Sequence, residues 1–335
     1  MILINWLLQV YAVGITLYLA LYIVFRLAWW PLALLSNFMH WLTLPAAAIF
    51  GISLWRKRWK MALVMLPSAG YFLIRYGPRW IPRRQPMPTG KVLTLFTYNI
   101  HAEEEGLAEI AAVIREADAD VVALQEVTVN AAAYLASEFA TSYPYQKAHH
   151  ASQPTDGQAI LSRFPIQEDD YWQNPVASFV LGHQRALIAW HETPIALYNL
   201  HPIHPRMIEG KIYDEVPRGE EIEISLAKAA QEKVPVVWAG DFNMTEESRD
   251  YERITQRYQD CFRSVGYGWG LSFPDLSHPQ ALPTKGYMRV PFRLIRLDYV
   301  FADIAWQPIS AELWPSSGGS DHRPFRVRLA LRHQP

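Results

Sequence analysis

The sequence predicts an α/β domain that follows an α-helical transmembrane region. Residues 1–80 contain long apolar runs without an acidic residue. From residue 91 onward, short strand-like apolar runs are separated by stretches with helical spacing. The charge divides near the same point, because residues 1–90 hold nine Lys and Arg and no Asp or Glu, whereas residues 91–335 hold 22 basic and 32 acidic residues. We therefore treat the two parts separately.

Three apolar runs form the predicted transmembrane region, which we place at residues 1–80 as about three helices. Leu7 to Phe25 and Leu32 to Trp55 have about the ~20 residues that a bilayer-spanning helix requires, and Met61 to Ile74 is shorter. Tryptophans near the run ends are typical of interfacial anchors. The alternatives are two spans with a re-entrant third run, or a signal peptide for the first run. The signal peptide is disfavoured because a basic start is missing and two more runs follow.

The basic residues give a nearly balanced signal for membrane orientation. Four lie in the segment 56–60, between the second and third runs, and five lie on the opposite side. Charge bias acts most directly in a short loop between two spans, so we place segment 56–60 in the cytoplasm. The third span then exits outward and carries the following domain outside the cytoplasm. Proline, glycine and arginine in residues 81–90 indicate a linker.

The body after the linker alternates between predicted strands and helices, with two long loops and no internal repeat. The loops run from His201 to about Gly219 and from Gly266 to Phe292. The single cysteine, Cys261, excludes an internal disulfide and is expected in the core. The predicted helices cover residues 107–117, 129–139, 220–232 and, approximately, 251–258. The predicted strands cover residues 92–98, 121–124, 159–165 (with its closing turn), 187–190, 195–200, 236–239, 296–301 and 325–331.

Several predicted strands end in a polar residue. Asn99, Glu126 and His201 each stand at or just beyond such an end, and Asp241 and Asn243 follow another strand two residues apart. The period of two places the last two side chains on one side of the chain. Ligands of α/β sheets bind at strand ends and in the loops beyond them. An Asx-type turn before the next helix is the alternative for Asp241, but the repetition favours a shared polar site.

Seven short motifs carry a resemblance that covers roughly residues 92–331. Together and in this order, they resemble the endonuclease/exonuclease/phosphatase superfamily. That superfamily includes pancreatic-type deoxyribonucleases, abasic-site endonucleases, inositol polyphosphate phosphatases and neutral sphingomyelinases. The motifs are Thr97-Tyr-Asn-Ile100, Leu124-Gln-Glu-Val127, Ile160-Leu-Ser-Arg-Phe-Pro-Ile166, Tyr198-Asn-Leu-His201, Gly240-Asp-Phe-Asn243, Arg296-Leu-Asp-Tyr-Val-Phe301 and Ser320-Asp-His-Arg-Pro324.

The resemblance implies a four-layer α/β sandwich, with two mixed sheets flanked by helices, for residues 91–335. It also implies hydrolysis of a phosphate ester with Mg²⁺ as cofactor, and with Mn²⁺ as the alternative ion. The apolar front lies outside the resemblance, although membrane-anchored bacterial members of the superfamily exist. We therefore expect an integral protein of a bacterial inner or plasma membrane.

The resemblance further implies a metal site. Glu126 is its principal ligand, and Asn99 and Asp321 lie near the ion. This agrees with the chemistry of Mg²⁺, which prefers oxygen ligands and often takes only one or two carboxylates besides waters and substrate phosphate. Some members carry an acid two residues after the first-strand Asn, where this chain has His101. We expect His101 to be an exposed loop residue rather than a second metal ligand.

Five catalytic residues are implied in the same way. Asp241 and Asn243 orient or activate the attacking water. His322 contacts the phosphate and is held by Asp298, whose carboxylate raises the pKa of the imidazole and fixes its tautomer. His201 stabilises developing charge or assists the leaving group.

Three functions are consistent with this pattern. The first is a membrane-anchored phosphodiesterase or phosphatase that acts on a phosphate ester near the lipid bilayer, such as a lipid head group. The second is a metal-dependent nuclease, for which nucleic acid is the substrate, although an acidic body disfavours tight non-specific binding to phosphates. The third is a non-catalytic, membrane-tethered binding module, and the completeness of the site opposes it. The sequence implies no protein partner.

Overall fold

A computed structural model shows two compact units in the chain, which are Met1–Pro82 with Glu246–Arg249, and Arg83–Thr245 with Asp250–Pro335. The predicted boundaries of the linker, at residues 81 and 90, stay a prediction. Parts of the linker and of the two predicted long loops lie outside the described residues. The structure describes residues 2–25, 28–83, 87–88, 90–102, 106–150, 155–174, 181–205, 212–275 and 292–332.

Among the described residues, the first unit contains four α-helices. They are α1 (Ile2–Phe25), α2 (Trp30–Ser36), α3 (Met39–Trp55) and α4 (Trp59–Tyr76), with a 3₁₀ helix at Gly77–Trp80. Helices α2 and α3 together cover the second of the three predicted apolar runs. Helices α1, α3 and α4 contact one another through a small apolar cluster of Ala12, Ala46 and Met65. The Tyr11 hydroxyl on α1 donates a hydrogen bond to the Leu42 carbonyl on α3, at 2.8 Å.

One helix of this unit meets the requirements for a membrane span by itself. Within the described residues, the segment Trp6–Phe25 of α1 is long and apolar enough to cross a bilayer. Helices α2 and α3 meet the same requirement only when they are taken together as one broken span, and they are bent by 68° at the break. A third span therefore stays a prediction.

The second unit contains two six-stranded sheets. In the first sheet the spatial order is β11 (Trp306–Leu313), β12 (Phe325–Leu331), β1 (Val92–Asn99), β2 (Val121–Gln125), β4 (Gln158–Ser162) and β3 (Tyr145–His149). In the second sheet it is β5 (Ile166–Gln173), β6 (Gly182–Trp190), β7 (Thr193–Leu200), β8 (Val236–Asp241), β10 (Asp298–Ala302) and β9 (Gln259–Asp260). Each sheet has one parallel pair, β1 with β2 and β7 with β8, among antiparallel neighbours. Both sheets are therefore mixed, as predicted.

Helices cover the outer face of each sheet, and the two inner faces pack on each other. These helices are α5 (Leu107–Ala117), α6 (Val129–Glu138), α7 (Val216–Ala229) and α8 (Arg249–Thr255), whereas α9 (Cys261–Val265) joins the apolar cluster between the sheets through Cys261 and Phe262.

Alternation along the strands builds the layers. In β1, Leu93 and Leu95 join the apolar cluster between the sheets, whereas Phe96 and Tyr98 join the cluster beneath α5 and α6. A third cluster joins the outer face of the second sheet to α7 and α8. Successive side chains of a strand point to opposite faces, so one strand serves two cores. The four-layer sandwich is thus confirmed.

The predicted elements differ from the structure mainly at the edges of the sheets. The strands β3, β5, β9 and β11 were not predicted, and each is an edge strand of its sheet. Edge strands face solvent and carry polar residues that obscure the apolar pattern. Helix α7 begins at Val216, four residues before its predicted start, with Pro217 in its first turn, where proline is favourable.

Candidate active site

The polar residues of four strand ends meet at one end of the sandwich. Asn99 is the last residue of β1 and Asp241 the last of β8, while Glu126 and His201 directly follow β2 and β7. These are the strands of the two parallel pairs, so the carboxyl ends of both pairs face the same place. The shared polar site that the sequence predicted is formed by one parallel pair from each sheet.

The side chains at these strand ends lie within hydrogen-bonding distance or just beyond it. The Asn99 amide nitrogen donates to Glu126 Oε1 at 2.9 Å and to Asp241 Oδ2 at 3.1 Å. The His201 Nε2 atom is 3.6 Å from each of the same two oxygens. Glu126, His201 and Asp241 each offer a ligand atom, and the three atoms lie within 4.8 Å of one another.

The backbone makes this convergence possible. At Gly240, a Cβ would lie 1.9 Å from the Leu200 carbonyl oxygen, and φ is +146°, so only glycine allows β8 to approach β7 here. Glu126 and Asn243 adopt φ values of 55° and 48°, which are uncommon for residues with a side chain. Strained residues of this kind concentrate at functional sites.

Asp241 takes part in a turn and in the site at once. Its Oδ1 accepts the backbone N–H of Asn243 at 2.9 Å, as in the Asx-type turn considered above. Its Oδ2 faces Asn99, His201 and His322. The Asn243 side chain donates to the Pro202 carbonyl at 3.0 Å and so connects the loops after β8 and β7. The turn and the polar site are therefore compatible.

The predicted His322–Asp298 pair is present. His322 Nδ1 is 2.9 Å from Asp298 Oδ2, and its Nε2 is 3.5 Å from Asp241 Oδ2. Ser320 holds the turn that carries His322, because its hydroxyl donates to the Asn99 carbonyl at 2.7 Å and accepts the His322 N–H at 3.1 Å. The imidazole is thus oriented between two carboxylates.

Burial and charge shift the pKa values of these groups strongly. Burial acts to lower the pKa of His322, but the carboxylates of Asp298 and Asp241 outweigh it and raise that pKa well above the ordinary value. Burial acts to raise the pKa of Asp241, yet the charges of His322 and His201 hold it below its ordinary value. Burial likewise acts to lower the pKa of His201, but the Asp241 carboxylate 3.6 Å away and the Glu126 carboxylate raise it overall. The site therefore favours two imidazolium ions beside ionised Asp241.

Asp321 lies with His101 rather than with the three clustered ligand atoms. Its Oδ1 is 2.7 Å from His101 Nδ1, and the His101 backbone N–H donates to the Asn99 amide oxygen at 2.9 Å. His101 is a loop residue whose side chain is 37% exposed, and it also joins the site through Asp321, with φ of 56°. Within the described residues, the clustered set is Glu126, His201 and Asp241. The roles of Asn99 and Asp321 as metal ligands stay a prediction.

Comparison with known proteins identifies the family. Residues 96–322, which include every one of these site residues, match the family model described as Endonuclease/Exonuclease/phosphatase family. The chain belongs to this family. Its members are metal-dependent hydrolases of phosphate esters, so the prediction of such an enzyme is confirmed. No curated protein sequence matches the chain.

Solved structures of the endonuclease/exonuclease/phosphatase family share the fold. A Bacteroides vulgatus member is 18% identical, with a TM-score of 0.58, over 72% of this chain and 100% of its own. A Beutenbergia cavernae member is 22% identical, with a TM-score of 0.56, over 72% of each chain. A mannosyl-6-phosphatase from Bacteroides thetaiotaomicron is 16% identical, with a TM-score of 0.54, over 71% of this chain and 100% of its own. At these identities the likeness shows the fold alone.

The donor set fits the divalent ion that the family implies. The carboxylates of Glu126 and Asp241 provide oxygen donors, which suit Mg²⁺ or Mn²⁺. The Glu126 side chain is 15% exposed, so an ion can reach it from solvent, whereas Asp241 is 2% exposed. Imidazole nitrogen is a poorer Mg²⁺ ligand than oxygen. His201 is therefore better suited to contacting negative charge on a substrate than to binding the ion.

The structure adds residues that the sequence analysis missed. Arg218 on α7 is fully buried and donates to the backbone carbonyl of Asn243 at 2.6 Å. Glu221, one turn further along α7, accepts the backbone N–H of Ile203, two residues after His201. His183 on β6 accepts the backbone N–H of His201 itself. Glu221 lies in a predicted helix, but the sequence did not indicate that its carboxylate would be buried beside the site.

Proposed function

We propose that the protein is a membrane-anchored, Mg²⁺-dependent phosphodiesterase or phosphatase that acts on a phosphate ester near the bilayer, with a lipid head group as the substrate class. The observation that carries the proposal is the convergence of Glu126, His201 and Asp241 within 4.8 Å, beside the His322–Asp298 pair. Carboxylates and imidazoles in this arrangement combine an ion-binding group with proton donors for a phosphate.

Glu126 holds the ion in this proposal, and Asn99 and Asp321 complete the predicted set. When bound, Mg²⁺ supplies an electrophile for a phosphoryl oxygen. Asn99 keeps Glu126 and Asp241 in place, because its amide nitrogen donates to both carboxylates. Asp321 faces His101, and its side chain is 21% exposed.

The buried residues act on the water and on the phosphate. Asp241 and Asn243 orient the attacking water, and the ionised Asp241 accepts its proton. His322, protonated and held by Asp298, donates to a phosphate oxygen. His201, also protonated, stabilises charge that develops on the phosphate or on the leaving oxygen. The raised pKa values of both histidines support these roles.

The apolar front and the charge of the body support a substrate close to a membrane. Helix α1 contains a segment able to span a bilayer, and residues 91–335 carry ten more acidic than basic residues. An acidic body repels the phosphates of nucleic acid at long range. A lipid head group lies in the same membrane that holds the enzyme. It is already close to the site, so its binding needs no long-range electrostatic attraction.

A substrate comparison tests the proposal. We would purify the full chain, place it in liposomes, remove metals with EDTA, and add back Mg²⁺ or Mn²⁺. Release of phosphate or head group from phospholipid vesicles is compared with cleavage of supercoiled plasmid DNA and of phosphorylated sugars. We expect metal-dependent hydrolysis of the lipid at the highest rate. Faster plasmid cleavage would support the nuclease, and metal binding without hydrolysis of any substrate would support a binding module.

Membrane anchoring is tested by washing membranes with alkaline carbonate or high salt. We expect the full chain to stay in the membrane fraction, and release of the intact chain would exclude spanning helices. For topology, Pro88→Cys in a Cys261→Ser background offers one exposed thiol. We expect a membrane-impermeant maleimide to label intact cells, because we place residues 91–335 outside the cytoplasm. Labelling only after lysis would reverse that orientation.

A further inference from the structure

A second set of buried polar side chains lies behind His201. His183 on β6 and Glu221 on α7 are both 0% exposed, and His201 is 2% exposed. Burying such groups is costly unless they form hydrogen bonds. The hydrogen bonds of this set therefore indicate what the arrangement does.

The bond between His201 and His183 fixes a tautomer. The backbone N–H of His201 donates to His183 Nδ1 at 3.3 Å. An imidazole nitrogen that accepts carries no proton, so in neutral His183 the proton is on Nε2. Burial lowers the pKa of His183 to about 3, which keeps the ring neutral. His183 Nε2 is consequently a buried hydrogen-bond donor.

Glu221 offers the acceptor nearest to this donor. Its Oε2 accepts the backbone N–H of Ile203 at 2.6 Å, which ties α7 to the loop just after His201. Its Oε1 lies 4.0 Å from His183 Nε2, too far for a direct hydrogen bond. A separation of this size between two polar groups is one that a water can bridge.

Three atoms of this set remain without a protein hydrogen-bond partner among the described residues. They are His183 Nε2, Glu221 Oε1 and His201 Nδ1, one from each side chain. Buried polar atoms in proteins are nearly always satisfied, and a buried water typically makes about three hydrogen bonds. Burial raises the pKa of the Glu221 carboxyl to about 8, although the charge of His201 acts to lower it.

We propose that one buried water joins these three atoms and makes Glu221 a positioning residue for His201. The water accepts from His183 Nε2 and hydrogen-bonds to Glu221 Oε1 and His201 Nδ1. The ring of His201 is then held from behind, while its Nε2 faces Glu126 and Asp241 at 3.6 Å each. The inference extends the proposed function, because it assigns Glu221 an effect on turnover that passes through His201.

A double-mutant cycle tests this assignment in the full chain reconstituted in liposomes. The probe substrate is bis(p-nitrophenyl) phosphate with Mg²⁺. We expect Glu221→Leu to lower kcat by ~10–100-fold, the range for loss of a supporting group, with KM changed less than about twofold. In a His201→Ala background, the same substitution should cause no further loss of kcat. Losses that multiply independently in the double variant would overturn the proposal.

Two further variants separate positioning from general damage to the fold. Glu223→Gln lies on the same helix with a side chain that is 59% exposed, and it should leave kcat unchanged. Glu221→Gln keeps the side-chain volume, and its amide oxygen can accept the Ile203 N–H while its amide nitrogen hydrogen-bonds to the water, so it should retain most of the activity that Glu221→Leu loses. If Glu221→Gln loses as much activity as Glu221→Leu, a water-bridged polar group is not what matters, and the proposal fails.

A spectroscopic measurement decides the inference without relying on catalysis. Full-length protein with ring-¹⁵N histidine is measured by magic-angle-spinning NMR in liposomes, and the His201 signals are identified by their loss in His201→Ala. Glu221→Leu should shift the ring ¹⁵N signals of His201, whereas Glu223→Gln should not. Unshifted signals would overturn the inference. A wild-type chain that hydrolyses no phosphate ester would instead refute the proposed function, and the NMR result would still stand.

Discussion

The two sheets provide opposite halves of the site, and the halves differ in exposure. The first sheet provides Asn99, which is fully buried, and Glu126, whose side chain is 15% exposed and opens this half to solvent. The second sheet provides His201 and Asp241, each with a side chain 2% exposed. Each half lies at the end of one parallel strand pair, β1 with β2 in the first sheet and β7 with β8 in the second. Two sheets of similar topology therefore form an open half and a closed half.

The layers behind the two halves explain this difference. Helices α5 and α6 contact the first sheet through an apolar cluster that includes Ile110, Ile114 and Leu135. Helix α7 instead sends Arg218 and Glu221 towards the backbone of the loops beside the closed half. A closed half with polar support holds charges in fixed positions, while an open half can exchange ions and substrate. Substitutions in the closed half should therefore affect stability as well as turnover.

The largest effect on stability is expected for Arg218→Met. The buried guanidinium donates to Asp250 at 2.8 Å, to the Asn243 carbonyl at 2.6 Å and to Glu215 at 2.7 Å. Removing it leaves buried acceptors without their partner, which costs about 3–5 kcal/mol in comparable buried pairs. Denaturant unfolding of the full chain in detergent, followed by tryptophan fluorescence, measures the loss.

Arg253→Met is the matched control for that experiment. Arg253 also donates to Asp250, at 2.9 Å, but its side chain is 42% exposed. Exposed ion pairs contribute only about 0–1 kcal/mol, so this variant should unfold nearly as the wild type does. Equal losses in the two variants would show that burial of Arg218 is not what supports the closed half.

The open half is tested by Glu126→Gln. The substitution keeps the side-chain volume and removes the charge that we assign to metal binding. We expect kcat to fall by at least ~10²–10³-fold, the scale for losing one strong electrostatic contact in a transition state. Stability should change by no more than about 0.5 kcal/mol, because the site is partly exposed. Isothermal titration with Mg²⁺ should show weakened binding, and unchanged turnover at saturating Mg²⁺ would remove Glu126 from the metal site.

The interior of each sheet could be predicted from the sequence, and the edges could not. Every predicted strand lies inside a sheet, where both faces are buried and apolar residues dominate. The edge strand β5 carries Glu168, Asp169 and Asp170 in succession, which conceals its alternation. Acidic residues at an edge prevent pairing with other chains, so the feature that protects the fold also hides it from pattern analysis.

The site was predictable where its residues stand at strand ends, and elsewhere only through the family motifs. Asn99, Glu126 and His201 stood out because each interrupts an apolar run. Asp298 and His322 required the resemblance, since a strand residue and a turn residue meet only in the fold. His183 and Glu221 had no sequence signal, because their effect depends on which face of a strand and of a helix is buried. Local pattern cannot determine that face for a polar residue.

The last prediction concerns Asp298→Asn, which alters the closed half without removing a predicted metal ligand. The Asp298 carboxylate lies 2.9 Å from His322 Nδ1 and, with Asp241 and Asp321, is one of three that raise the pKa of His322. Its loss should lower that pKa, because one opposite charge that favours imidazolium is gone. Activity that requires imidazolium is present below the pKa and lost above it, so its decline with rising pH should move to lower pH.

We expect Asp298→Asn also to reduce kcat by ~10–100-fold with little change in KM, as for loss of a supporting carboxylate. A pH–rate series on the full chain, with melting temperature measured in parallel, tests both effects. Asp303→Asn is the control, because Asp303 also sits beside β10 and accepts backbone N–H groups from Val236 and Ala305, but contacts no site residue in the described chain. That variant should melt earlier and keep the wild-type pH profile. The same result for Asp298→Asn would mean that Asp298 only caps the strand, and that Asp241 and Asp321 are the carboxylates that keep His322 protonated.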